Sequence, residues 1–291
     1  MTEHQSAEHK PSQRVIDLFD RYTHGEMDRR RFLEKLTLLA GSSIAALALL
    51  PVLENNYAIA DLLPESDPRI KTETIDFKGT KIYLASPASG DTWPTVLVVH
   101  ENRGLNPHIK DVTRRLAAEG FLAASADFLS GAGGTPADED KAREMIGALD
   151  KATTEKVARD IVADLRGRSD SNGKVGAIGF CWGGGLVNRL AVTDPTLDAA
   201  VAYYGMQPDA KDVGKIKAPL LLQYAGLDER INAGIPVYET ALKAESKNYE
   251  LHVYDGVNHA FNNDTNTARY DKKAADLAWS RTVAFLHKSL G

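Results

Sequence analysis

From about Leu62 onward, short β-branched runs alternate with longer amphipathic stretches. Thr72–Phe77 and Lys81–Ala85, joined by Lys78-Gly79-Thr80, predict a hairpin. Thr95-Val96-Leu97-Val98-Val99-His100 is a continuous apolar run, the pattern of a strand buried on both faces. Phe121–Ala126 and residues 174–180 read as further strands, followed by Ala199–Tyr204, Leu220–Tyr224 and Tyr249–Tyr254. Helical periodicity covers residues near 108–119, a long charged region at about 137–168, then 182–193, 233–246 and 269–289. A hairpin followed by repeated β–α units predicts one α/β domain over 61–291, a mostly parallel twisted sheet with helices on both faces. The patch Ser130-Gly131-Ala132-Gly133-Gly134-Thr135-Pro136 is a loop, too short for a domain linker.

Residues 1–60 follow a different pattern and predict a helical or apolar segment ahead of that domain. A polar stretch to residue 27 holds a short amphipathic run at Val15–Phe19. Asp28-Arg29-Arg30-Arg31-Phe32-Leu33 precedes an apolar region from Leu36 to Leu53, broken by Gly41-Ser42-Ser43 and Pro51. Basic residues, a modest apolar region and small Ala58 and Ala60 have the organisation of an export signal, with cleavage expected after Ala60. The Arg-Arg-x-Phe-Leu core resembles a twin-arginine signal, although Asp28 and Glu34 depart from its usual residues. That reading predicts an exported, periplasmic protein that meets a membrane only in transit or through an uncleaved segment. The competing reading is a retained arm on a cytoplasmic protein. The apolar run is marginal for a span, which needs about 20 residues with few interruptions.

The composition, 43% hydrophobic and 26% charged with a net charge of −5, is that of an ordinary soluble domain and gives no reason to expect nucleic acid. The single cysteine excludes an intramolecular disulfide, and no Cys/His cluster has zinc spacing. No metal or cofactor is called for. That cysteine, Cys181, lies in Gly179-Phe180-Cys181-Trp182-Gly183, the G-x-nucleophile-x-G pattern with sulfur in the nucleophile's place. A β-rich run leads in and Gly183-Gly184-Gly185 leads out, which lets strand and helix approach closely around a sharp turn. Asp228 and His259 follow the next strands, at the sheet edge where active sites of such folds lie. Nucleophile, acid, histidine is the chain order of the α/β-hydrolase fold. His252 and His100 compete with His259, and Glu229 and Asp255 with Asp228, but only the chosen pair has the required place. His259 would accept the thiol proton and Asp228 would orient the imidazole. The backbone N–H of Trp182 and a donor from the loop after strand 95–100, taken as Asn102, would form an oxyanion hole.

These segments together resemble the dienelactone hydrolase family. Gly179–Gly184 matches its cysteine elbow, Ala202-Tyr203-Tyr204-Gly205 its Tyr-Tyr-Gly strand end, and Gly226-Leu227-Asp228 its acid segment. Gly256–Phe261 matches the histidine segment and His100-Glu101-Asn102-Arg103-Gly104 the His/Gln-Glu-x-x-Gly loop, so the likeness runs from about Thr72 to Leu290. The resemblance implies a hydrolase of small lactones or activated esters, in which Glu101 exchanges a proton with the resting cysteine. It also implies arginines that hold a substrate carboxylate. Asn263 stands where one of these belongs, and Arg143 is an unanchored candidate for the other. Arg103, Tyr203 and Asn263 are the residues this reading places against substrate.

Overall fold

The computed structural model describes residues 10–58, 60 and 62–291. The hairpin pairs β1 (Ile70–Phe77) with β2 (Thr80–Pro87), Phe77 opposite Thr80. Its two connecting residues, Lys78 and Gly79, both have positive φ, as the tight turn that matches strand twist requires. The remaining strands are β3 (Trp93–Val99), β4 (Leu122–Ala126), β5 (Ser171–Phe180), β6 (Ala199–Tyr203), β7 (Leu220–Ala225) and β8 (Tyr249–Tyr254). They form one eight-stranded sheet in the order β1-β2-β4-β3-β5-β6-β7-β8, antiparallel at β1–β2 and β2–β4 and parallel from β4 onward. This is an α/β fold with a mixed sheet.

Central strands are buried on both sides, which is why their sequences are dominated by Val, Leu and Ala. One face packs against α6 (Lys151–Gly167), α7 (Trp182–Thr193) and α9 (Ile235–Ala244), through Ile161, Leu186 and Leu242. The other packs against α4 (Pro107–Ala118) and α10 (Lys272–Leu290), through Val112, Leu116 and Leu286. Buried Gln223 latches α10 to β7: its amide donates to Thr282 Oγ1 at 2.8 Å and to the Ala278 carbonyl at 3.1 Å. The long helical region expected at 137–168 is two helices, α5 (Glu139–Gly147) and α6. Asp150 starts the second by accepting from the Thr153 N–H at 2.8 Å, a cap that a continuous helix would not contain.

The arm forms α1 (Gln13–Thr23), α2 (Arg29–Ala40) and α3 (Ser43–Leu53). The apolar run divides at Gly41, whose φ of 80° ends α2, and at Ser42, which caps α3 through the Ala45 N–H. The two helices meet at 111°, and among the described residues no single helix is long and apolar enough to cross a membrane. Phe19, Phe32, Leu36 and Leu53 are buried together with Ala268. Tyr22 stacks on Phe32 with centroids 4.5 Å apart. Met1 to His9, and Ile59 and Asp61 on either side of the expected cleavage point, lie outside the described residues.

Candidate active site

Cys181 is the one residue between β5 and α7, and its backbone is at φ 55°, ψ −114°. An L-residue rarely adopts this region without compensation from its surroundings. The compensation is close packing of glycine backbones. A Cβ on Gly179 would lie 2.2 Å from the Gly183 carbonyl oxygen, and one on Gly183 would lie 2.4 Å from that of Val99. The elbow thus sits tightly on neighbouring strands, and the Cys181 N–H donates to the Tyr203 carbonyl at 3.1 Å. Trp182 opens α7, so its N–H is one of the first-turn donors with no partner inside the helix.

Two loops from neighbouring strands reach this turn. Asp228 follows β7 and caps the short helix α8 (Glu229–Asn232), with Oδ1 accepting from the Ile231 N–H at 3.2 Å. Its Oδ2 lies 2.5 Å from His259 Nδ1, and both side chains are buried. A ring nitrogen of His259 lies within 4.8 Å of the Cys181 sulfur. Burial would raise the thiol, but the charges of His259 and His24 outweigh it and bring Cys181 down to about 5. Burial would lower His259, but Asp228, Cys181 and Asp20 outweigh it and raise it to about 10. Both shifts favour a thiolate beside an imidazolium.

The sequence from residue 80 to 290 matches the model of the dienelactone hydrolase family. The chain belongs to the dienelactone hydrolase family. It is therefore a hydrolase. A second model, described as YqhI-like, matches residues 3–41. A Saccharolobus solfataricus protein named "Putative carboxymethylenebutenolidase" is 34% identical over 251 residues, covering 73% of this chain and 96% of that one. "Protein usf" of Aquifex pyrophilus is 36% identical over 230 residues, covering 73% and 95%. A crystal structure titled as a putative dienelactone hydrolase from Klebsiella pneumoniae superposes with a TM-score of 0.68 at 29% identity, over 75% of this chain and 98% of that one.

Within this dienelactone hydrolase frame the other expected residues separate into groups. Glu101 is buried and accepts from Asn263 Nδ2 at 3.1 Å; no hydrogen bond joins it to Cys181. Asn263 does not line the cleft. It is fully buried, and its carbonyl accepts from the Thr265 hydroxyl at 2.6 Å and N–H at 3.1 Å, so both ends of the amide are used internally. Arg103 is buried against Glu139, with Nε 2.7 Å from the carboxylate. Tyr203 is a core residue whose hydroxyl meets Thr282 Oγ1 at 2.8 Å. Its neighbour Tyr204 lines the cleft and packs its ring 4.6 Å from that of His259. Trp182 and Asn102 line it too. Arg143 also reaches the cleft, but pairs with Asp140 and lies over the Tyr22 ring at 4.8 Å.

The competing candidates have other work. His100 is buried, stacked on Trp182, with Nδ1 donating to the Glu101 carbonyl at 2.7 Å and Nε2 accepting from Phe128. That pattern fixes a neutral ring, and burial lowers its pKa further. His252 lies on β8 near Glu250.

Sequence reasoning did not find His24. At the end of α1, it places Nε2 3.3 Å from the Cys181 sulfur, with its ring edge on that of His259 at 4.7 Å. His24, Cys181 and His259 form the group of His, Cys and acidic side chains near enough together to hold a metal ion among the described residues. The one available signal was Asp20 four residues before His24, a spacing that puts both on one helix face.

Proposed function

We propose that this hydrolase cleaves small lactones or activated carboxylic esters through a thioester on Cys181. The observation that carries the reading is a strained cysteine at a helix N-terminus, served by a buried His259 whose Nδ1 lies 2.5 Å from Asp228. The family supports a carbonyl substrate, and the name of the Saccharolobus relative points to a lactone.

In acylation the thiolate adds to the carbonyl carbon, and the carbonyl π pair moves to oxygen. The Trp182 N–H, with a donor from the Asn102 loop, stabilises that oxyanion. Collapse breaks the acyl C–O bond, and the departing oxygen takes a proton from an imidazolium beside the sulfur. For a lactone it stays attached as the new hydroxyl. Water then adds to the thioester, giving its proton to His259, and the C–S bond breaks to restore the thiolate. Asp228 keeps His259 in the tautomer whose Nε2 faces the chemistry. A thiolate is a good leaving group, so activated esters suit this site better than amides.

Cys181→Ala should abolish turnover of a chromogenic short-chain ester with little change in thermal unfolding, and intact-mass analysis of the native enzyme during turnover should find one acyl group on Cys181. Full activity of the alanine variant would reject the mechanism.

For the arm, we infer retention rather than export-linked removal. Asn266 Nδ2 donates to the Leu53 carbonyl at 2.7 Å, the Asn56 N–H to that of Thr265 at 2.7 Å, and Asn102 Nδ2 to that of Thr23 at 2.8 Å. Arg29, which a twin-arginine receptor would need, is paired with Asp140. N-terminal sequencing of protein from native cells decides: a mature start near Ala60 would restore the export reading.

A further inference from the structure

The family match begins at residue 80, yet one of the two histidines at the sulfur comes from residue 24. His24 Nδ1 donates to the Asp20 carbonyl at 2.7 Å, since a carbonyl can only accept, and lies 3.3 Å from the Asp20 carboxylate. Its Nε2 is thereby turned to Cys181, taking the proton of a thiol or, once protonated, donating to a thiolate. Asp20 is itself held by Arg269 at 3.5 Å and Arg230 at 3.9 Å. The arrangement repeats Asp228–His259 at the same sulfur: carboxylate, imidazole, sulfur.

We propose that the N-terminal arm completes the catalytic centre, with His24, oriented by Asp20, acting as a second histidine on the Cys181 sulfur. This rests on the thioester reading above and adds a division of labour. His24 holds the resting thiolate and protonates the departing oxygen as the C–O bond breaks. His259 takes the proton of the incoming water. One proton is held among the sulfur and the two rings: while it rests on His24, His259 is neutral and able to take the water's proton. That proton then passes from His259 back to His24, whose ligand atoms lie within 4.8 Å of one another and of the sulfur, so the cycle closes with none gained or lost.

A stopper would also touch the sulfur, but the geometry is that of a wall. Cys181, His24 and His259 all line one open cleft of about 1380 Å³. Phe19, Tyr22, Met27 and Tyr57 of the arm form one side, while Trp182 and Tyr204 line it from the catalytic domain. The arm therefore bounds the space that a substrate's acyl and alcohol portions would occupy, and Cys181, buried at 9% exposure, is one of the residues that line it. The charged and titratable groups around His24 are Asp20 from α1, Cys181 from the elbow, His259 and Asp228 from the loops after β8 and β7, and Arg230 and Arg269 behind Asp20. Glu101 lies beyond, on Asn263. Burial would lower the His24 pKa, but Cys181 and Asp20 together outweigh it and raise it.

The test is the pH dependence of Cys181 alkylation by iodoacetamide in full-length protein, which needs no ester substrate. His24→Gln, and more weakly Asp20→Asn, should move the midpoint upward and slow alkylation in mildly acidic buffer. kcat on a chromogenic ester should fall about 10–100-fold, at the low end for loss of one general acid because His259 remains. An unchanged alkylation profile in a folded His24→Gln protein overturns the proposal. So does faster alkylation or turnover, which would make the arm a stopper. If native enzyme turns over no ester but the alkylation midpoint still shifts, the thioester function fails and the role of His24 at the sulfur stands.

Discussion

Gly183 and Gly185 are two residues apart in one glycine run, yet the structure assigns them opposite tolerance. A Cβ on Gly183 would lie 2.4 Å from the Val99 carbonyl oxygen and 2.5 Å from that of His100. Ordinary contact begins near 3.4 Å, so the elbow or β3 must give by 3.4 − 2.4 = 1.0 Å, and both obstacles are backbone. Overpacking of this kind costs about 1–3 kcal/mol. In a domain of this size each kcal/mol lowers Tm by roughly 2–4 °C. The catalytic loss should be larger than the stability loss, because a misplacement of about 1 Å at a reacting group costs on the order of 100-fold in rate. At Gly185 the nearest atoms to an added Cβ are 3.5 Å away, on Arg189 and Met206. Alanine there meets ordinary contacts inside a helix, where it is favoured over glycine by up to about 1 kcal/mol. Circular-dichroism melts and kcat/KM for Gly183→Ala and Gly185→Ala provide the comparison. Equal tolerance at both positions would refute the claim that close backbone packing holds the elbow in its strained geometry.

Three further outcomes are expected. Asp228→Asn keeps the shape but removes the charge that holds the His259 proton, so kcat should fall by about 10²–10⁴ while KM changes little. The Cys181 pKa is lowered to about 5, so the thiolate persists above that value and is lost as pH falls through it; alkylation should follow that limb, and a midpoint near the ordinary thiol value would contradict the ion pair. Phe32→Ala removes a buried ring that stacks on Tyr22, at a cost of about 3–5 kcal/mol in the arm's core. Limited proteolysis should then cut the arm first, and resistance equal to wild type would show that the arm does not depend on that core.

The order of strands and helices, the elbow and the acid–histidine pair were legible in the chain. Buried parallel strands write themselves as apolar runs, and the elbow demands glycines at fixed places. The break between α5 and α6 was less visible because both halves share one amphipathic period, and only the Asp150 cap separates them. Outside the acid–histidine pair, side-chain partners were not read from the chain. Arg103 turned to Glu139 and Asn263 to Glu101, since each pairing joins segments far apart in sequence.

The sequence by itself determined the α/β sheet, the place of Cys181, Asp228 and His259, and the family, because each rests on local periodicity or on residues adjacent in the chain. Only the tertiary structure decided where residues 10–58 lie. Their basic and apolar pattern suits an export signal as well as a packed arm, and hydrophobicity has no direction. What the local pattern does not contain is the contact between the end of α1 and the elbow more than 150 residues away, which brings His24 within 3.3 Å of the sulfur.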